Sequence, residues 1–138
     1  MKMSKDSQVI ISNEIKYAVE QMKQSKDLEE KIYYFSAVHA MILRIFNINY
    51  DPYLVYIHLI LNETYSAFMQ RLAAMKRGDS VVEITVDQIN RLEDLTVELG
   101  MYFNKAKEVD EIMKKFAILS YSTTGNGHYL LKKGLLVI

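Results

Sequence analysis

The 138-residue sequence predicts an all-α fold: an antiparallel up-and-down bundle of about four long helices, with a short C-terminal hairpin or extended tail. Three observations carry that expectation. Apolar residues step by three and four along two ladders, Leu28, Ile32, Phe35, His39, Ile42, Phe46 and then Leu54, His58, Leu61, Tyr65, Phe68, Leu72, Met75, which is the spacing of one helical face. A short polar break holding the single proline separates the ladders, so they should fold back on each other as an αα-hairpin. Thr85 and Gln88 then form a capping box at the head of a further periodic run. One domain over residues 1–138 is expected, a length that buries a substantial core without disulfides or metals.

The first helix is expected over residues 7–23, with Ile11, Ile15, Ala18 and Met22 inward and Lys16, Glu20 and Lys23 toward water. Gln24-Ser25-Lys26-Asp27 breaks the pattern, and Asp27 caps a second helix over 27–46 whose first turn holds Glu29 and Glu30, where negative charge suits the helix dipole. Asn47-Ile48-Asn49-Tyr50-Asp51-Pro52 reads as stop, turn and start, since Asp caps free amides and Pro is tolerated at the first helical position. The third helix, over 52–77, is apolar all round from Tyr53 to Leu61 and is therefore the central element. It should end at Arg77-Gly78, because glycine accepts the left-handed closing conformation.

The fourth helix, over 86–119, begins with the capping box and a hydrophobic staple of Ile84 on Ile89. Leu92, Leu95, Leu99, Tyr102, Ala106, Val109, Met113 and Phe116 keep the period, which predicts one long helix or two collinear ones with a break at Gly100. Residues 120–127 are turn-rich and 128–138 are apolar, so the tail over 120–138 reads as a short hairpin or an extended segment. Its Leu135-Leu136-Val137-Ile138 end should dock on this molecule or on a partner.

Half of the residues are hydrophobic and a quarter charged, which excludes a largely disordered chain. Seventeen basic and seventeen acidic residues cancel, so the broad positive field that drives non-specific nucleic-acid binding is missing. There is no cysteine, hence no disulfide, zinc-thiolate site, iron–sulfur cluster or thiol nucleophile. Met1 to Val9 has no apolar signal-peptide core, which points to the cytoplasm. The most apolar stretch, Ala37 to Leu61, is interrupted by Arg44, Asn47, Asn49, Asp51 and Pro52, and no membrane span is expected.

No catalytic set, cofactor motif or metal-ligand set is legible. The candidates are His39, His58, Arg44 and Glu63. His39 lies roughly 12 Å before the end of its helix and His58 roughly 10 Å past the Asp51 cap, so an antiparallel hairpin sets them nearly level. The plain reading is a hydrogen-bonded core pair; the sharper one is a metal or catalytic site, for which Glu14 and Glu63 are the nearest acids and no Glu-x-x-His is present. Arg44 reads as a helix-flank arginine packing its stem on apolar neighbours, or as an anion ligand. Ten tyrosines, with Tyr33, Tyr34, Tyr50, Tyr53 and Tyr56 near the second turn, favour self-association. Thr123-Thr124-Gly125-Asn126-Gly127 offers small amides to a phosphate but lacks the P-loop lysine, and reads better as a flexible turn. Arg77-Gly78-Asp79 matches an integrin-binding tripeptide and Asn62-Glu63-Thr64 a glycosylation sequon; a helix-ending turn and a helix interior are the better readings.

Taken whole, the ladders resemble those of small uncharacterised archaeal helical-bundle proteins, and the antiparallel bundle is similar in architecture to cobalamin adenosyltransferases. That likeness implies fold alone: Arg71 and Arg77 stand apart in the sequence where those enzymes have an arginine-rich stretch, so no catalytic residue carries over. Residues 83–134 look like the end of a winged-helix domain, with Ile118-Leu119-Ser120-Tyr121, a Gly-Asn-Gly turn and His128 to Gly134 as the wing. Residues 104–133 carry a net charge of +3 but residues 80–138 carry −1, which is weak for a DNA reader.

The leading expectation is thus a non-enzymatic, self-associating interaction module, a homo-oligomer without cofactor or membrane. Behind it stand winged-helix-like DNA binding through Lys105, Lys107, Lys114, Lys115, Lys132 and Lys133, and a small-molecule or metal site between His39 and His58.

Overall fold

The structure is a computed structural model that describes residues 4–48, 50–78 and 83–138. The start of the Met1–Val9 stretch, Asn49 of the second turn and Asp79 of the Arg-Gly-Asp tripeptide lie outside the described residues. The described residues form six helices: α1 (Lys5–Gln24), α2 (Leu28–Ile48), α3 (Pro52–Lys76), α4 (Val86–Tyr102), α5 (Ala106–Ser122) and α6 (Gly125–Lys132). Among the described residues there is no strand, and no helix is long and apolar enough to cross a membrane.

Most of the helix starts have a side-chain cause. The Ser4 hydroxyl accepts from the Ser7 amide, and Asp27 Oδ1 accepts from the Glu29 amide at 3.0 Å. Asp51 Oδ1 accepts from the Tyr53 amide at 3.0 Å, with Pro52 at the first helical position. Thr85 and Gln88 complete the expected capping box, and Ile84 and Ile89 both pack on the core. Gly78, with φ of 75°, closes α3 as its position predicts.

The five longer helices form a ring: α1 packs on α2 and α4, α2 on α3, α3 on α5, and α5 on α4, while α6 lies on α5. Polar contacts fix which ends meet. Glu29 in the first turn of α2 pairs with Lys76, the last residue of α3, at 2.6 Å. Lys31 of α2 donates to the Met22 carbonyl near the end of α1 and to Glu93 of α4 at 2.7 Å, joining three helices at one point. Inside the ring one apolar cluster draws on all five longer helices, with Phe35, Phe68, Phe103 and Phe116 buried and Phe35 stacked on Phe116 at 6.0 Å between ring centres. Each such ring stabilises the fold by about 1.5–3 kcal/mol relative to exposure.

Two expectations are corrected. The run over 86–119 is neither one helix nor two collinear ones: α4 and α5 fold back on each other, with Gln88 at the head of α4 bonded to Ser122 at the end of α5. The reversal falls at Phe103-Asn104-Lys105, not at Gly100, and Tyr102 and Ala106, which end α4 and start α5, stand four apart and keep the period running across the turn. Gly100 serves close packing instead, since a Cβ there would stand 2.9 Å from Ile15 Cγ2. The tail is likewise no hairpin: residues 125–132 are helical, and only 135–138 lack regular structure. Thr124 caps α6 by accepting from the Gly127 amide at 3.1 Å. Gly127 is required because a Cβ would fall 1.7 Å from the Tyr121 carbonyl oxygen, so only glycine lets α6 lie on the end of α5. The segment that the winged-helix likeness reads as a wing is therefore helix.

Gly127→Ala should cost at least about 2 kcal/mol of unfolding free energy by overpacking. Gly125→Ala, whose added Cβ meets nothing within 4 Å, should leave stability unchanged or raise it by up to about 1 kcal/mol in urea denaturation. Equal effects of the two substitutions would refute the close-approach account of Gly127.

Candidate functional site

The ladder histidines meet as the axial arithmetic predicts. His39 on α2 and His58 on α3 have ring centres 5.6 Å apart, and Tyr65 lies two turns further along α3, 5.1 Å from His39. His58 Nδ1 lies 3.1 Å from the His39 carbonyl oxygen. A carbonyl only accepts, so Nδ1 of His58 carries a proton. His39 is in the opposite condition: both of its ring nitrogens are buried and neither has a hydrogen-bond partner. Burial first, and then the neighbouring His58, push its pKa below the ordinary histidine value.

Arg44 and Glu63 do not join this pair. Each stands five residues from its histidine, about 140° round the helix. Arg44 is exposed on the flank of α2, and Glu63 is exposed in a groove between α3 and α5 beside Ile60, Gln70 and Tyr121. Among the described residues no three histidine or acidic side chains gather as a metal would require, and Glu14 is exposed on α1. What remains at the α2–α3 seam is two imidazoles and a phenol, groups able to exchange a proton or to hydrogen-bond a small molecule. Thr64 of the sequon is fully buried inside α3.

Sequence reasoning missed a second polar cluster, at the end of α5. Ser122 Oγ, Thr123 Oγ1 and Thr124 Oγ1 donate back to the carbonyls of Leu119, Ser120 and Tyr121 at 2.6, 2.8 and 2.7 Å. Gln88 Nε2 donates to the Ser122 carbonyl at 3.1 Å, and Arg71 donates Nε and Nη2 to the Thr123 carbonyl at 3.1 and 3.0 Å. The stretch that reads as a flexible turn is a helix end bound by three other elements. Arg71 and Arg77, isolated in the sequence, line one cavity here together with Thr123, Thr124 and Gly125. Nearby on α6, His128 is 2% exposed, and both its ring nitrogens lack a partner. The spacing of hydroxyls three residues after each carbonyl was the available signal; nothing in the sequence pairs Arg71 with Arg77.

Compared with protein-family models, curated proteins and solved structures, the chain matches none.

The fold holds His39 and His128 neutral, their pKa values lowered mainly by burial. The unfolded chain titrates near 6.5, so below that pH it binds protons the folded chain refuses; stability is full above about pH 6.5 and falls as pH drops toward the folded values. His39→Phe, which keeps a ring against Tyr65, should make the loss between pH 7.5 and 5.5 smaller than in the parent, by at most about 1.4 kcal/mol per pH unit in urea titrations. An unchanged pH dependence would contradict the neutral-imidazole account.

Proposed function

We propose that this chain is a single-domain up-and-down helical bundle that associates with itself and acts as a non-enzymatic interaction module. The observation that carries the reading is the apolar character of its outer face. Tyr56 and Leu59, three apart on α3, are 37% and 56% exposed, Tyr33 and Leu43 are exposed on α2, and Ile118 and Tyr121 on α5. Large apolar side chains exposed at the surface favour association, and tyrosine is enriched where such sites are half wet. The working place of such a module is the cytoplasm, in line with the absence of cysteine.

DNA binding ranks behind. Lys114 and Lys115 are paired with Glu111 and Glu98, and Lys105 and Lys133 lie over the rings of Tyr102 and Tyr129. A second reading does have its own observation: the partnerless His39 ring favours a small ligand between His39 and His58. Metal analysis of the purified protein alongside His39→Ala tests it, and metal content that does not differ between the two removes the metal form of that reading.

Light scattering of the chain at micromolar concentration should return a dimer or larger species. Tyr56→Ser with Leu59→Ser should weaken association at least tenfold while leaving the helical circular dichroism signal intact, because both side chains are exposed. A monomer at that concentration, or association indifferent to the double substitution, overturns the proposal for this face.

A further inference from the structure

From Ile112 to Ile138 the chain carries four lysines and no acidic residue. Two of them, Lys132 and Lys133, stand exposed at the end of α6, on the same helical face as the exposed ring of Tyr129. Lys133 Nζ lies 5.5 Å from the centre of that ring, and among the described residues neither lysine makes an ion pair. Their positive charge has no local counter-ion there.

The segment that follows is tied to the fold, yet half of its apolar side chains point outward. Gly134, at φ 72°, closes α6: its amide donates to the Leu131 carbonyl at 3.1 Å, and the Leu135 amide donates to the Leu130 carbonyl at 2.9 Å. Beyond this paired turn Leu136 and Ile138 are partly buried, Ile138 against the core, whereas Leu135 and Val137 are 74% and 84% exposed. Side chains this exposed project from the surface instead of lining a recess. The fold thus docks one half of its apolar end and presents the other.

We propose that this end of the molecule is a docking surface for an anionic lipid bilayer, with Lys132 and Lys133 on the lipid phosphates, Tyr129 at headgroup level, and Leu135 and Val137 in the acyl boundary. Projecting aliphatic side chains need an apolar phase that receives them without a matching recess, and the fluid boundary of a bilayer supplies one. Lysines without neighbouring acids select a leaflet of negative charge, and tyrosine is enriched at the interface between headgroups and water. The contact is with the membrane surface, since no described helix is long and apolar enough to cross a membrane. It uses none of the α3 side chains invoked for self-association and stands independently of that reading.

The test is flotation of the full chain with lipid vesicles, which separates binding from aggregation. Vesicles of phosphatidylcholine with about 30% phosphatidylserine should carry the protein upward, and phosphatidylcholine alone should bind it at least about tenfold more weakly. Lys132→Gln with Lys133→Gln should weaken binding at least about tenfold, each lysine at such a leaflet being worth roughly fivefold. Leu135→Ser with Val137→Ser should also weaken it at least about tenfold, by removing the inserted side chains. All four positions are exposed, so the helical circular dichroism signal should not change. Lys16→Gln with Lys107→Gln removes the same charge from exposed positions on α1 and α5 and should change binding less than about twofold. Absence of binding to the anionic vesicles, equal binding to both compositions, or equal loss with the control pair would overturn the proposal. So would tail substitutions that lower the oligomeric state in light scattering while vesicle binding persists, which would make this end a contact between copies of the chain.

Discussion

The last turn of α5 ends against α3, α4 and α6 rather than in solvent, with Ser122 fully buried and Thr123 2% exposed, so its final carbonyls must find donors within the protein. Each unsatisfied carbonyl there would cost about 1–3 kcal/mol. The chain meets the requirement with three successive hydroxyls that reach back to Leu119, Ser120 and Tyr121, and with Gln88 and Arg71 reaching in from α4 and α3. Ser120 adds a hydroxyl contact of 2.7 Å with Thr64 of α3. The placement of α4, α6 and the cavity beside Arg71 follows from this one helix end.

Gln88 shows how a local signal and a long-range one share a side chain. Its Oε1 accepts from the Thr85 amide and completes the capping box of α4, while its Nε2 holds Ser122. The same residue therefore sets where α4 starts and where α5 stops. Around this well-paired region His39 and His128 stand out, since their buried ring nitrogens have no partner. One lies in the α2–α3 seam and the other on α6, and with Glu98 Oε2 their nitrogens are the buried side-chain atoms that lack a hydrogen-bond partner among the described residues.

Much of this architecture was legible in the sequence because it rests on local chemistry. Asp51-Pro52, Thr85 with Gln88, and Gly78 each act within a few residues, and each marks a boundary as expected. The level placement of His39 and His58 followed from helix rise alone. What misled is equally physical. Tyr102 ends α4 and Ala106 starts α5, four residues apart, so the three-four period passed across the turn unbroken. Gly125 and Gly127 have poor helix propensity, and the approach of α6 to the Tyr121 carbonyl, which accounts for Gly127 alone, is a tertiary contact. Arg71 and Arg77 meet Thr123, Thr124 and Gly125 at one cavity through tertiary packing, which no spacing along the chain encodes.

If the end of α5 is the tie on which this region depends, Gln88 and Arg71 act on one shared element although they sit on different helices. A double-mutant cycle of Gln88→Met and Arg71→Met, read as unfolding free energy in urea, measures that directly. The account predicts a coupling of at least about 0.5 kcal/mol, because loss of either donor loosens the carbonyls that the other holds. Strictly additive losses would mean that the two contacts are separate surface details and would contradict it.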